Sequence, residues 1–232
     1  MAGCARGGME GVAVRTIELH KSVTASNDAD AQALREELAA AGTLLVNLMS
    51  SPGSGKTTLL SRTVADMGSE LGIAVLEADI AAAVDAERME AAGARSIQVH
   101  TDGMCHMDAG MTRRGLEEMG LEGIDLAILE NVGNLICPAE FDTGAHVSVM
   151  ILAVPEGDDK PLKYPLMFQT SDALVVSKMD TLEYFDFDLE AVRERVLQLN
   201  PNIRIFPVSA KTGEGMDAWE AWLRERLEAL RA

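Results

Sequence analysis

Ser50-Ser51-Pro52-Gly53-Ser54-Gly55-Lys56-Thr57-Thr58 follows the apolar run Leu44–Met49 and opens a helical stretch over Thr57–Leu71. A strand, a glycine-rich turn and a helix in that order make a phosphate-binding loop. Gly53 and Gly55 let successive backbone N–H groups curl around an anion, and the helix N-terminus adds its partial positive charge. Gly53, Ser54, Gly55 and Thr58 would line the phosphates. Lys56 would reach the β- and γ-phosphates, and the Thr57 hydroxyl would hold Mg²⁺. Ser50 stands where the first glycine of such a loop is usual.

Downstream, short apolar runs at Ile73–Asp79, Ser96–His100, Leu126–Glu130, Val147–Val154, Ala173–Ser177 and Ile203–Pro207 alternate with helical patterns at Val84–Ala92, Ala109–Met119, Leu189–Leu199 and Asp217–Ala232. Most runs are continuously apolar, the mark of strands covered on both faces. The alternation predicts an α/β P-loop NTPase with a mostly parallel central sheet flanked by helices. In such a sheet ligands sit at the carboxyl ends of the strands. Upstream, Asn27-Asp28 would cap a helix through Ala41 that sets Ala31, Leu34, Leu38 and Ala41 on one face. Residues 1–26, with Gly3, Gly7, Gly8 and Gly11, read as a flexible segment, and 27–232 as one P-loop GTPase domain.

Length agrees with this division, since 232 residues leave little beyond one full domain. With 20 Lys+Arg against 37 Asp+Glu the net charge is −17, which argues against nucleic acid and anionic membrane surfaces as partners. An apolar fraction of 47% exceeds what a disordered acidic chain carries, so the charge decorates a folded core. Three cysteines, Cys4, Cys105 and Cys137, make no disulfide framework. The N-terminus lacks the apolar stretch of a signal peptide, and Val147–Val154 is too short to span a bilayer. The expectation is a soluble cytoplasmic protein.

A P-loop needs a carboxylate near Mg²⁺. Glu130 ends the run Leu126–Leu129, and Asn131-Val132-Gly133 follows, giving an E-x-x-G form of the γ-phosphate sensor. Asp79 is a second acid, suited to a Mg²⁺-bound water or to orienting the attacking water. Either acid can instead cap the helix after it. Lys56, Asp79 and Glu130 are thus the catalytic set.

The base is read further on. Ser177-Lys178-Met179-Asp180 and Ser209-Ala210-Lys211, each after its own strand, look like the guanine-reading elements of GTPases. The Asp180 carboxylate would accept from guanine N1–H and the 2-amino group, where adenine offers no donor, while Lys178 and Lys211 would pack their stems on the base. Ser177 stands in place of the usual Asn, an exchange expected to weaken this loop's tie to the rest of the site and to lower affinity without changing the base. Only six lysines exist, and three of them lie in these motifs.

Cys105-His106, after the third strand, and Cys137, seven positions beyond Glu130, are soft donors suited to Zn²⁺ or Ni²⁺. Three ligands do not close a tetrahedral site, so a fourth would come from water or another chain. The plainer alternative makes both cysteines small buried hydrophobes and His106 a satisfied polar residue.

S-S-P-G-S-G-K-T-T, E-A-D, G-M-C-H-M-D-A, E-N-V-G-N-L-I-C-P-A, P-E-G-D-D-K-P-L-K-Y-P and G-E-G-M-D-A-W together resemble the HypB family, from about Ala29 to the C-terminus. Those are GTPases that help insert nickel into [NiFe]-hydrogenase. The resemblance implies a GTP-dependent homodimer with a metal site at or near the dimer contact, its ligands Cys105, His106 and Cys137. It also implies a zinc-containing nickel-chaperone partner and the hydrogenase large subunit as client. Many members begin with a C-x-x-C-G-C nickel site or carry a His-rich tract. Here that end has Cys4 alone, and His20, His100, His106 and His146 are scattered, so neither a high-affinity N-terminal nickel site nor a nickel store is expected.

The expected mechanism is a switch with two inputs. GTP and Mg²⁺ would draw the loops after Asp79 and Glu130 toward the γ-phosphate, shifting Cys137 relative to Cys105 and His106. In the Pro155–Pro165 segment Lys160 and Lys163 can reach a neighbouring subunit's nucleotide, or simply decorate an exposed loop. Competing readings are a urease-type nickel chaperone, a small-molecule P-loop kinase and a scaffold that binds nucleotide without hydrolysis.

Overall fold

Seven short strands, nearly all with apolar side chains on both faces, need cover on both sides, and the computed structural model arranges them so. It describes residues 20–78, 89–101 and 103–232. The elements run α1 (His20–Ala41), β1 (Leu44–Ser50), α2 (Lys56–Met67), β2 (Ile73–Glu77), β3 (Arg95–Gln98), α3 (Ala109–Met119), β4 (Leu126–Glu130), β5 (Val147–Ala153), β6 (Ala173–Ser177), α4 (Leu189–Leu199), β7 (Arg204–Pro207) and α5 (Met216–Arg231). Every strand pairing is parallel, in the order β3-β2-β4-β1-β5-β6-β7. The phosphate loop therefore leaves the central strand between β4 and β5, at the carboxyl edge where the connections diverge. Register sets Leu48 beside Glu130, two residues before Ser50.

The two faces are packed differently. Leu48, Val46, Ile128 and Val75 meet Leu59, Leu60, Val64 and Met67 of α2 and Trp219, Leu223 and Leu227 of α5. On the other face Leu45, Leu76, Ala127 and Leu129 meet Leu34 and Leu38 of α1 and Leu116 of α3. Trp219 is fully buried and donates its indole N–H to Thr63 Oγ1 at 3.0 Å, joining α5 to α2. His146 bridges α1 and β1: its Nδ1 accepts from Leu45 N–H, and its Nε2 meets the Arg35 carbonyl, each at 3.0 Å. Burial holds that imidazole below its ordinary pKa.

Several boundaries move from the sequence-based expectation. The first helix begins at His20, so Asn27 lies inside it instead of capping it. The Asn27 side chain has another use. Its Oδ1 accepts from Ala109 N–H at 3.0 Å and its Nδ2 donates to the Asp142 carbonyl at 2.8 Å. With Asp108 Oδ1 accepting from Met111 N–H, two side chains satisfy the first turn of α3. The second strand ends at Glu77, and Asp79 and most of the expected helix over Val84–Ala92 lie outside the described residues, although residues 89–92 are helical. Pro155–Pro165 is folded into short helical turns, at Val154–Glu156 and Lys160–Lys163. No helix among the described residues is long and apolar enough to cross a membrane.

Candidate functional site

The phosphate loop turns on two glycines in left-handed conformations, Gly53 at φ 77° and Gly55 at φ 94°. Its side chains converge on Ser50, whose Oγ uses its full bonding capacity. It accepts from Ser54 Oγ at 2.6 Å and from Lys56 Nζ at 3.0 Å, and donates to the Ser51 carbonyl at 2.8 Å. All three side chains are buried. Ser50, which the motif marks only as a departure from glycine, thus organises the loop. Ser51 Oγ in turn donates to Glu156, whose other carboxylate oxygen accepts Ala153 N–H at 2.8 Å and ties the loop to the end of β5. Nothing in the motif pointed to Glu156.

Thr57 Oγ1 lies 3.5 Å from Glu130 Oε1, so the P-loop hydroxyl and the acid at the end of β4 face one point. A hydroxyl and a carboxylate are hard oxygen donors that fit Mg²⁺. Gly133 packs on the P-loop: a Cβ there would stand 3.0 Å from Pro52 Cγ and 3.2 Å from Pro52 N. A side chain there would push the segment after Glu130 away from Pro52 by a few tenths of an ångström.

Beside the loop is a cavity of about 220 Å³ lined by Gly55, Thr58, Lys178, Asp180, Ala210 and Lys211, among others. Both suspected base-reading segments line it. Ser209 Oγ donates to Asp180 Oδ1 at 2.8 Å and Lys211 Nζ stands 3.9 Å from the other oxygen, which holds the carboxylate in place. Lys178, at the one positive φ of a non-glycine residue among those described (60°), donates from Nζ to the Gly53 carbonyl at 2.7 Å. Ser177 Oγ donates to the Ser54 carbonyl at 2.7 Å. The tie expected to suffer from the absence of Asn is therefore present as a short hydroxyl bond.

A second cluster lies in the loops that follow β3 and β4. Cys105 Sγ and Cys137 Sγ are 2.7 Å apart, beyond the roughly 2.05 Å of a disulfide bond, and both are free thiols. His106 Nδ1 is 3.9 Å from Cys105 Sγ, and its ring stacks on Phe141 with centroids 3.7 Å apart. The hydrogen bond with Cys137, with burial adding to it, raises the Cys105 thiol pKa, while burial lowers that of His106. Among the described residues no group of three or more His, Cys, Asp and Glu side chains is arranged to hold a metal. One chain brings the two sulfurs together and leaves the imidazole turned toward Phe141.

Between the two clusters sits Asn131, fully buried. Its Oδ1 accepts from Met107 N–H at 3.2 Å and from Val132 N–H at 2.9 Å, and its Nδ2 donates to Asn47 Oδ1 at 3.0 Å. The signal available beforehand was a polar residue directly after an apolar strand.

A buried P-loop lysine, a threonine–glutamate pair and an adjoining base-sized cavity define a nucleotide-binding protein of the P-loop class. The sequence model of the "CobW/HypB/UreG, nucleotide-binding domain" family matches residues 44–207. The chain is 44% identical to the hydrogenase maturation factor HypB of Azotobacter chroococcum, over 94% of this chain and 74% of that one. It is 41% identical to the hydrogenase/urease maturation factor HypB of Helicobacter hepaticus, over 94% and 89%. Among solved structures, HypB from Helicobacter pylori in complex with nickel superposes with a TM-score of 0.82 at 38% identity, covering 88% of this chain and 96% of that one. HypB from Archaeoglobus fulgidus gives 0.83 at 36%, covering 88% and 99%. The chain belongs to the HypB family of hydrogenase maturation factors.

Proposed function

We propose that this chain is a GTP-hydrolysing switch that handles nickel during [NiFe]-hydrogenase maturation in the cytoplasm. The observation that carries the reading is the continuity of residues 130–137. The segment starts at Glu130, 3.5 Å from the P-loop threonine, and ends at Cys137, 2.7 Å from the Cys105 thiol. Any movement of Glu130 toward a bound nucleotide is transmitted to one sulfur of the pair.

Lys56 would bind the β- and γ-phosphates, and Asp180, held by Ser209 and Lys211, would read guanine. Thr57 and Glu130, with Asp79 as a further acid, would hold Mg²⁺, which would neutralise phosphate charge when bound. Hydrolysis on such a site is slow unless a further group stabilises the transition state. Nickel, or zinc in its place, is cargo. Cys105, Cys137 and His106 are its donors, completed by water or by a second copy of the chain, because one chain leaves the set open. The resemblance to the HypB family implies that the GTP state is a homodimer with the metal site at or near the dimer contact. A zinc-containing nickel chaperone and the hydrogenase large subunit are its partners upstream and downstream. Nickel is supported by the Helicobacter pylori relative, whose structure is described as a complex with nickel.

Coupling makes the proposal testable, since any effect of nucleotide on metal affinity must be returned equally. Ni²⁺ and Zn²⁺ are titrated into the protein loaded with GDP or with a non-hydrolysable GTP analogue, and mass is followed by light scattering. Different metal affinities and a dimer in the analogue state are expected. Equal affinities in both states would remove the switch.

A further inference from the structure

We propose that Asn131 is the positioning residue that links the nucleotide cleft to the thiol loop, a role that rests on the switch reading above. The argument begins with strand geometry. Successive residues of a strand point to opposite faces. Glu130 follows Leu129 at the end of β4 and shares its face with Ile128, the face covered by α2, where Thr57 Oγ1 stands 3.5 Å away. Asn131 comes next and emerges on the other face, among the groups on the side covered by α1 and α3. One peptide unit thus joins the acid that would answer Mg²⁺ and phosphate to an amide on the thiol side.

That amide uses three of its four hydrogen-bonding positions. Both lone pairs of Oδ1 are used, by Met107 N–H and by Val132 N–H, and Nδ2 is held by Asn47 Oδ1 on β1. Two N–H donors facing one oxygen also decide which end of the amide is the carbonyl. The backbone N–H of Asn131 donates to the Leu48 carbonyl at 3.0 Å, so the residue is pinned to β1 twice. Met107 directly follows Cys105-His106, and its side chain is fully buried. The bond from Asn131 is thus a fixed point of the loop that carries two of the three soft donors. The third, Cys137, lies on the chain that continues from Asn131 past Gly133 and Pro52.

This arrangement explains how both halves of the thiol pair can feel the nucleotide. Cys137 follows Glu130 through the chain, and Cys105 and His106 follow it through the Asn131 amide. The amide route to Met107 is one side chain long, whereas the chain route runs on to Cys137, so a displacement at Glu130 reaches the two loops unequally and changes the spacing of the donors. Without the amide the Cys105-His106 loop would be free to follow Cys137, and the spacing would relax alike in both nucleotide states. A buried, hydrogen-bonded amide also resists small displacements, because breaking it leaves N–H and C=O groups without partners away from water.

The test needs no metal in its first arm. Hydrogen exchange of the Met107 amide is measured in the metal-free wild-type chain with GDP and with a non-hydrolysable GTP analogue. A rate that differs at least threefold between the two states is expected; equal rates overturn the proposal. In the second arm Ni²⁺ and Zn²⁺ affinities are measured in both nucleotide states for wild type and Asn131→Ala. The expected result is a wild-type affinity ratio different from one that collapses toward one in the variant, with nucleotide affinity kept within threefold. A variant that keeps the wild-type ratio overturns the role of Asn131 and leaves the switch standing, whereas a wild-type ratio of one removes the switch and the link together. Should Asn131→Ala not fold, the wild-type exchange measurement decides alone.

Discussion

The nucleotide cleft and the thiol cluster are built on opposite plans. The cleft is made of groups that already have partners: Ser50 joins Lys56 and Ser54, Asp180 is held by Ser209 and Lys211, and Lys178 is anchored on Gly53. Its side chains come from four strand ends and depend on the sheet for position. The thiol cluster comes from two loops, with Cys105 exposed and His106 stacked on Phe141 away from any closed donor set. A site for a common, highly charged substrate can be preorganised in one chain. If the thiol cluster takes a cargo ion that must be given up again, as proposed, an open donor set suits it, because a closed tetrahedral set holds its metal too firmly to pass on.

This contrast can be broken most sharply at the base. If Asp180 reads guanine, the wild-type chain prefers GTP to ATP by a factor on the order of 10⁴, and Asp180→Ala abolishes most of that preference in nucleotide competition. Metal affinity in the nucleotide-free chain stays unchanged; a parallel loss of both would mean that the regions are one site. Next in size, Cys105→Ser with Cys137→Ser lowers Ni²⁺ and Zn²⁺ affinity by roughly 100-fold or more, and calorimetry finds GTP-analogue affinity within threefold of wild type. Gly133→Ala touches both halves. Its methyl meets Pro52 and must displace the segment by a few tenths of an ångström, so GTP hydrolysis, followed by phosphate release, falls about 10-fold.

The smallest effect lies behind the cleft, in the seam between α2 and α5. Glu220 is buried, and its Oε1 is without a partner. Burial above all, then hydrogen bonding to Asp66 and its charge, raise the Glu220 pKa from 4.5 to about 7, against the opposing pull of Arg224. Between those two values the folded chain keeps a proton that the unfolded chain has released, so this group's contribution to stability declines as pH rises from about 4.5 through about 7. Glu220→Gln should raise the melting temperature at pH 8 by about 2–4 °C and change it little at pH 5, as followed by circular dichroism. Arg62 pairs with Asp66 in the same seam, so an unchanged melting curve at pH 8 would mean that this ion pair already compensates Glu220. The thiol cluster has no part in the seam, and its metal affinity should be indifferent to the variant.

Much of the fold was legible because its signals are local. A continuous apolar run between turn residues defines a strand wherever it lies, and β4 and β6 match their expected limits, as do α3 and α4. The motif at 50–58 brings its own geometry, since glycine at positive φ and the helix that follows need no distant partner. The start of α1 was misjudged because Asn27 has the chemistry of a cap, yet its side chain serves Ala109 and Asp142, remote in sequence.

The amino-acid sequence by itself thus determined the class of sheet, and it singled out the candidate phosphate-binding and base-reading residues and the candidate soft donors Cys105, His106 and Cys137. Each depends on residue type and short spacing. Only the tertiary structure decided that Ser50 gathers Lys56 and Ser54, that Ser177 ties to Ser54, that Glu130 meets Thr57, and that Asn131 joins Asn47 to Met107. Those facts depend on strand order and register, which bring together groups as much as 123 residues apart. No local pattern records such a distance, because a hydrogen bond depends on separations of tenths of an ångström that only the packed sheet defines.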